Sequence, residues 1–218
     1  MKFAMAYSCG KDSTLALHKM IAQGHTPVAL IVMINQQVGR SYFHGADDQL
    51  LAAYSSALEI PLIRCQTDGT DYAVAFERGL AQAKAKGAVA ACFGDIDLQQ
   101  NRQWEEERCE HRGLAAVFPL WHCDRRQNVY DLLAHGYKCL IKSANTNLLP
   151  KTIAGKSLDE ATIAVMKKAN IDICGENGEY HTLVIDGPIF RRPLGVQVGQ
   201  TMQFGDYATA EISLADFK

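Results

Sequence analysis

The sequence contains no apolar stretch approaching the roughly 20 residues needed to span a bilayer. Its longest, Pro27–Ile34, is far shorter. Nor does it open on a secretory signal, because Met1 and Lys2 lead directly into Phe3–Tyr7, too short for a signal peptide's apolar core. No two of the seven cysteines form a C-x-x-C pair. Cys109 and His111, like His122 and Cys123, also lack the tighter paired spacing of zinc sites. With an odd count, and with Cys65 and Cys92 inside apolar runs, the cysteines read as reduced thiols in a cytoplasmic protein. A surplus of one charge is missing too: 22 basic residues stand against 24 acidic ones, a net charge of −2. That balance argues against a general nucleic-acid or membrane-surface binder, while leaving room for a local patch that holds a specific RNA or protein. Internal repeats and low-complexity segments are absent. What remains is an ordinary globular composition over 218 residues, enough for one large domain or a medium one with a smaller companion.

The first half alternates in a telling way. Phe3–Tyr7, Pro27–Ile34, Pro61–Cys65, Val89–Phe93 and Ala115–Val117 are short apolar runs that read as buried strands. Between them lie helix-period segments at Ser13–Gln23, Asp47–Leu58, Asp71–Lys86 and the polar Gln99–Arg112, the first and third closed by Gly24 and Gly87. Such alternation implies right-handed βαβ crossovers and a doubly wound, five-stranded parallel sheet, an α/β fold. After Trp121 the style changes. Asp124–Asn128 reads as a polar connector, Val129–Ala134 and Leu158–Lys168 as helices, and Tyr137–Ala144, Thr182–Ile185, Thr201–Phe204 and Ala208–Ser213 as strands. The expectation is a first domain over residues 1–124 and a smaller α+β domain over 125–218.

The sharpest local feature is Ser8-Cys9-Gly10-Lys11-Asp12-Ser13-Thr14, between the first strand and the first helix. Small and hydroxyl residues let backbone N–H groups turn inward around an anion, and a helix N-terminus adds positive potential. Lys11 brings a formal charge. Asp12 repels phosphate unless a cation intervenes, which argues for Mg²⁺ between Asp12 and phosphate oxygens. G-x-x-x-x-G-K-[ST] cannot be laid on this segment, so it is not a Walker A loop. A plain strand-to-helix turn capped by Asp or Ser is the alternative. The segment resembles the S-G-G-x-D-S pyrophosphatase loop (PP-loop) of the N-type ATP pyrophosphatases, which cleave ATP to AMP and pyrophosphate, with Cys9 where glycine is usual.

Two further segments carry a narrower resemblance. Gly94-Asp95-Ile96-Asp97 is followed by Arg102, Trp104, Glu105 and Glu106, then by Pro119-Leu120-Trp121. Later come Gly175-Glu176-Asn177-Gly178-Glu179-Tyr180-His181-Thr182 and Asp186-Gly187-Pro188-Ile189-Phe190. Together these are similar to the diphthine–ammonia ligases and their ATP-binding relatives, over about the whole chain. The ligases tend to read G-E-G-G-E-Y-E-T, whereas this chain has Asn177 and His181, which brings it closer to relatives acting on an unknown substrate.

The resemblance implies a HUP-like, PP-loop fold and a set of site residues. Ser8, Cys9, Gly10, Lys11, Asp12, Ser13 and Thr14 would hold the leaving pyrophosphate, with adenine beside the first strand and Met33 at the end of the second. Gly94 would permit close ligand approach, and Asp12 and Asp95 would bind Mg²⁺. Glu176, Glu179 and His181 would face the substrate, one of them deprotonating the incoming amine. The reaction implied is attack of a substrate carboxylate, protein-bound or small, on the α-phosphorus of ATP, followed by ammonia or another amine. Blander readings stand beside these: Asp95 and Asp97 as helix caps, Arg102–Glu106 as an i,i+4 ion pair, and Glu176–Glu179 as a polar turn. Adenylylation of RNA or a small molecule, and a non-catalytic ATP-binding sensor, are the competing functions. The size is compatible with a homodimer, and no membrane partner is expected.

Overall fold

The alternation read from the sequence becomes, in a computed structural model describing residues 1–42 and 44–215, an ordered series of elements. These are β1 (Lys2–Ala6), α1 (Lys11–Ala22), β2 (Thr26–Asn35), β3 (Arg40–Ser41), α2 (Asp48–Leu58), β4 (Leu62–Thr67), α3 (Tyr72–Ala85), β5 (Ala90–Cys92), α4 (Gln99–His111) and β6 (Ala115–Val117). There follow α5 (Arg125–Ala134), β7 (Lys138–Asn145), a 3-10 turn at Lys151–Ile153, α6 (Glu160–Lys168), β8 (Tyr180–Asp186), β9 (Val196–Phe204) and β10 (Tyr207–Leu214). The chain divides into two compact units: Met1–Ser8 with Asp12–Cys123, and Cys9–Lys11 with Asp124–Lys218. Among the described residues no helix is long and apolar enough to cross a membrane.

The first unit carries a parallel sheet in which β4 pairs with β2, β2 with β1, β1 with β5, and β5 with β6. This is the doubly wound α/β order expected, with the reversal of direction between β1 and its neighbour β5. One correction applies. The sheet has a sixth, antiparallel member, β3, whose Ser41 and Arg40 face Ile34 and Asn35 of β2. It forms because β2 outruns β1, which ends at Ala6, and leaves the backbone of its last residues to be paired. Apolar side chains from both faces, among them Ile31, Ile63, Phe76, Leu80 and Phe93, fill a continuous core. Gly79 of α3 is part of that packing, since a side-chain carbon there would stand 2.4 Å from Cys65 Sγ.

The second unit is built on an antiparallel sheet in the order β8-β7-β10-β9. Val129, Leu132, Ile163 and Met166 of its helices are buried, as are Cys139, Ile141, Leu183, Ala210 and Ile212 of its strands. Two sequence expectations are corrected here. The Asp124–Asn128 connector is instead the start of α5, because the Asp124 side chain accepts from Gln127 N–H and caps the helix. β9 begins at Val196 rather than Thr201, since its backbone pairs along β10 despite Gly199 and the glutamines that interrupt the alternation.

Candidate functional site

In the first unit the end of β1 is tied to the start of α1 by hydroxyl groups. Ser8 Oγ and Ser13 Oγ are 3.0 Å apart, and Ser8 N–H donates to the same Ser13 oxygen at 3.3 Å. Tyr7 Oη and Thr14 Oγ1 meet at 3.1 Å in the interior. Lys11, Asp12, Ser13 and Thr14 are the first turn of α1, whose N–H groups have no partner within the helix and favour an anion. Asp12 is half-buried in that turn.

Gly94, just past β5, lies directly against this turn. A side-chain carbon at Gly94 would stand 2.8 Å from Ser13 N and 2.9 Å from the carbonyl carbon of Asp12. Both contacts are to backbone, so only glycine fits. The next residue, Asp95, accepts from Asn101 Nδ2 at 3.0 Å. Its other neighbour is Glu105 of α4, a residue that sequence reasoning quoted but gave no role. Burial first, then the charge of Asp95 and a hydrogen bond to it, push the Glu105 carboxyl up to about 10. Burial beside the Asp95 carboxylate thus favours the neutral form of Glu105. No local signal marks it, because burial, the largest cause of the shift, cannot be read from the polar sequence of α4. Asp95 and Asp97 are not the N-cap of α4; that position is Leu98, which makes no capping bond. Arg102 does pair with Glu106, at 2.8 Å, and its guanidinium also lies over the rings of Trp121 at 4.6 Å and Phe118 at 5.1 Å. Met33 is buried in β2, and its carbonyl accepts from Tyr42 N–H at 3.0 Å.

In the second unit the segment Cys9–Lys11 seats on β8. Val184 N–H donates to the Cys9 carbonyl at 2.9 Å, and Lys11 N–H to Thr182 Oγ1 at 3.1 Å. The Lys11 ammonium, 7% exposed, lies 3.9 Å from Glu176 Oε1 and over the Tyr180 ring at 5.7 Å. Cys9 has a left-handed backbone, φ 69°, and is fully buried. Burial alone pushes its thiol far above the ordinary range, so it is not a thiolate nucleophile. The loop that sequence reasoning treats as one object is thus held by hydroxyls on one side and by a sheet edge on the other.

Glu179, His181 and their neighbours form a small polar network of the second unit. The buried Glu179 carboxylate accepts from Asn177 twice, from the backbone N–H at 2.9 Å and from Nδ2 at 3.0 Å. Asn177 Oδ1 faces Arg125 Nη1 at 3.5 Å, and Arg125 is anchored by Asp172 at 2.7 Å. A guanidinium only donates and a carboxylate only accepts, so the orientation of the Asn177 amide is dictated by its partners. His181 stacks on Tyr207, centroids 6.2 Å apart, and Tyr207 Oη donates to the Gly178 carbonyl at 2.7 Å. Gly175–Tyr180 is therefore an ordered acidic turn whose carboxylates are aimed by named donors. Sequence reasoning selects Glu176, Glu179 and His181 but misses Arg125 and Asp172, which lie outside the motif.

Comparison with known proteins bears on both units. Residues 1–116 match the model of the diphthamide synthase N-terminal domain, and residues 126–215 that of the diphthamide synthase C-terminal domain. The chain is 25% identical to the diphthine–ammonia ligase of Mus musculus, covering 98% of this chain and 89% of the mouse protein. It is 26% identical to that of Homo sapiens, over 100% and 91%. The ligase of Schizosaccharomyces pombe is 28% identical over 88% of this chain but only 35% of its own length. A solved structure, the predicted subunit of tRNA methyltransferase from Methanocaldococcus jannaschii, overlays with a TM-score of 0.45 at 11% identity, covering 88% of this chain and 99% of that one. That likeness is too loose to bear on function.

Proposed function

Because the chain belongs to the diphthamide synthase family, through both of that family's domains, we propose that it is an ATP-dependent, amide-forming ligase that splits ATP to AMP and pyrophosphate. The observation that carries the reading is the match of the two domain models in chain order, with Ser8–Thr14 running from the end of β1 into the first turn of α1.

In this reading the Ser8 hydroxyl, the backbone N–H groups of Cys9, Gly10, Ser13 and Thr14 and the N-terminus of α1 receive the pyrophosphate portion of ATP. Lys11 brings the positive charge. Gly94 keeps the end of β5 open to ligand, and Met33 lies beside the base. Asp12 and Asp95 are the carboxylates that would supply oxygen ligands to magnesium in this reading. Magnesium bound there would offset the charge of the departing pyrophosphate.

A substrate carboxylate oxygen bonds to the α-phosphorus as the bond to pyrophosphate breaks, giving an acyl-adenylate. Ammonia or another amine then bonds to the acyl carbon and AMP departs, the amine losing its proton to Glu176, Glu179 or His181. No covalent enzyme intermediate is needed, consistent with the buried, protonated Cys9 thiol. The relatives are named for diphthine, and a diphthine-type carboxylate is the first acceptor to test. A second reading keeps the chemistry and changes the acceptor to another small molecule or an RNA. It is favoured by Asn177, whose side chain engages Glu179 in a way glycine does not allow. The seven free cysteines suit a reducing cytoplasm.

The test is product analysis after mixing the protein with Mg²⁺, ATP, ammonium and a desalted cell extract. Wild type should form AMP and pyrophosphate, and Asp12→Ala should lower the rate by about 100-fold. Formation of ADP and phosphate by wild type would sink the proposed chemistry.

A further inference from the structure

The two ends of the second unit's sheet are treated differently. At β8 the edge is engaged: Val184 N–H is held by the Cys9 carbonyl, and the Thr182 hydroxyl oxygen by Lys11 N–H. At β9, the opposite end, no further strand pairs among the described residues. β9 is long for an edge, nine residues from Val196 to Phe204, and all but Val196 are exposed. Val198, Met202 and Phe204 are 45%, 46% and 58% exposed.

Edge strands in stable monomers are short, carry charges or proline, or are covered, because a bare edge invites another strand. β9 shows little of this protection. Between Arg192 and Asp206 the sequence holds no Lys, Arg, Asp or Glu, and its one proline, Pro193, precedes the strand. Irregular register near Gly199, where a side-chain carbon would meet Glu211 Oε2 at 2.9 Å, is the protective device present. It leaves Thr201–Phe204 regularly paired with β10, so their other backbone edge is set for a ladder.

We propose that β9 pairs antiparallel with β9 of a second copy of this chain about a two-fold axis, joining the two four-stranded sheets into one. The charge pattern selects this occupant. A two-fold axis lays the strand against its own reverse, so a charged residue would meet its like or a near neighbour. An uncharged strand meets no such repulsion in any register. The joined sheet also ends in β8 on both sides, where Cys9 and Lys11 already engage Val184 N–H and the Thr182 hydroxyl, so the assembly exchanges an uncovered edge for a partly covered one. Met202 and Phe204 of one copy cover the same residues of the other. The pairing is independent of the chemistry proposed for the ATP loop.

Sedimentation velocity over a concentration series up to about 100 µM tests it by mass action. Wild type should sediment as a dimer at the upper concentrations. Met202→Lys and Phe204→Lys, exposed positions where a lysine leaves the fold intact, should each raise the dissociation constant by about tenfold or more. Val89→Lys, exposed in the first unit, should leave it unchanged. A wild type that stays monomeric overturns the proposal, and so does a dimer indifferent to lysine at 202 and 204. A monomer that instead binds extended peptides at β9 overturns it as well.

Discussion

Cys9 has a left-handed backbone, φ 69°, a conformation that costs an L-residue roughly 1–2 kcal/mol and glycine almost nothing. The glycine usual at this place in pyrophosphatase loops is thereby explained, and so is the tolerance for cysteine, whose small thiol is buried without charge. Cys9→Ala should retain ATP turnover to within about threefold, which a thiol nucleophile would not allow. Gly94 is the reverse case. Its missing side chain is demanded by the backbone of Asp12 and Ser13, and Gly94→Ala should cost about 1–3 kcal/mol in a urea melt and raise KM for ATP. At this scale the sequence was legible where chemistry is local. The Ser8–Thr14 loop, Gly94 and the Glu176–His181 turn could be picked out by residue type. Glu105 and Arg125 could not, because a buried acid beside Asp95 and an anchor for Asn177 are products of packing.

Helices α3 and α4 are joined by a single acidic residue. Glu77 of α3 receives His111 Nδ1 at 3.0 Å and Arg112 Nη2 at 2.8 Å, with Arg108 Nε at 3.4 Å. Hydrogen bonds from His111 and then Arg112 hold its carboxyl below the ordinary carboxylate value of 4.5. A depressed carboxyl stabilises the fold above the unfolded value, and that contribution is lost as pH falls through the folded one. Glu77→Gln should therefore melt about 2–4 °C lower than wild type at pH 7. The gap should close as pH falls below about 4.5 and through the lower folded value, as followed by circular dichroism. Elements themselves were read well from periodicity, since buried parallel strands and capped helices leave strong local patterns. The exceptions have physical reasons. β3 is two residues paired only because β2 outruns β1, α5 starts on a polar stretch made helical by the Asp124 cap, and β9 carries no core-facing alternation to detect.

For the molecule as a whole, the instructive residues are Cys9, Gly10 and Lys11, which follow β1 in sequence but belong to the second unit by contact. No pattern in the sequence announces this, because the tie joins residues some 170 positions apart, the Cys9 carbonyl to Val184 N–H and Lys11 N–H to the Thr182 hydroxyl. Hydrogen exchange makes it measurable. The Val184 amide should be protected in the full chain and exchange at least about tenfold faster in a fragment spanning residues 124–218, which lacks its acceptor. A chimera joined at Cys123/Asp124 would inherit the loop from one parent and the strand that seats it from the other. Distantly related homologues should recombine poorly at that junction even though each half keeps its own core. Carrying Ser8–Thr14 along with the second parent's C-terminal half should restore the match.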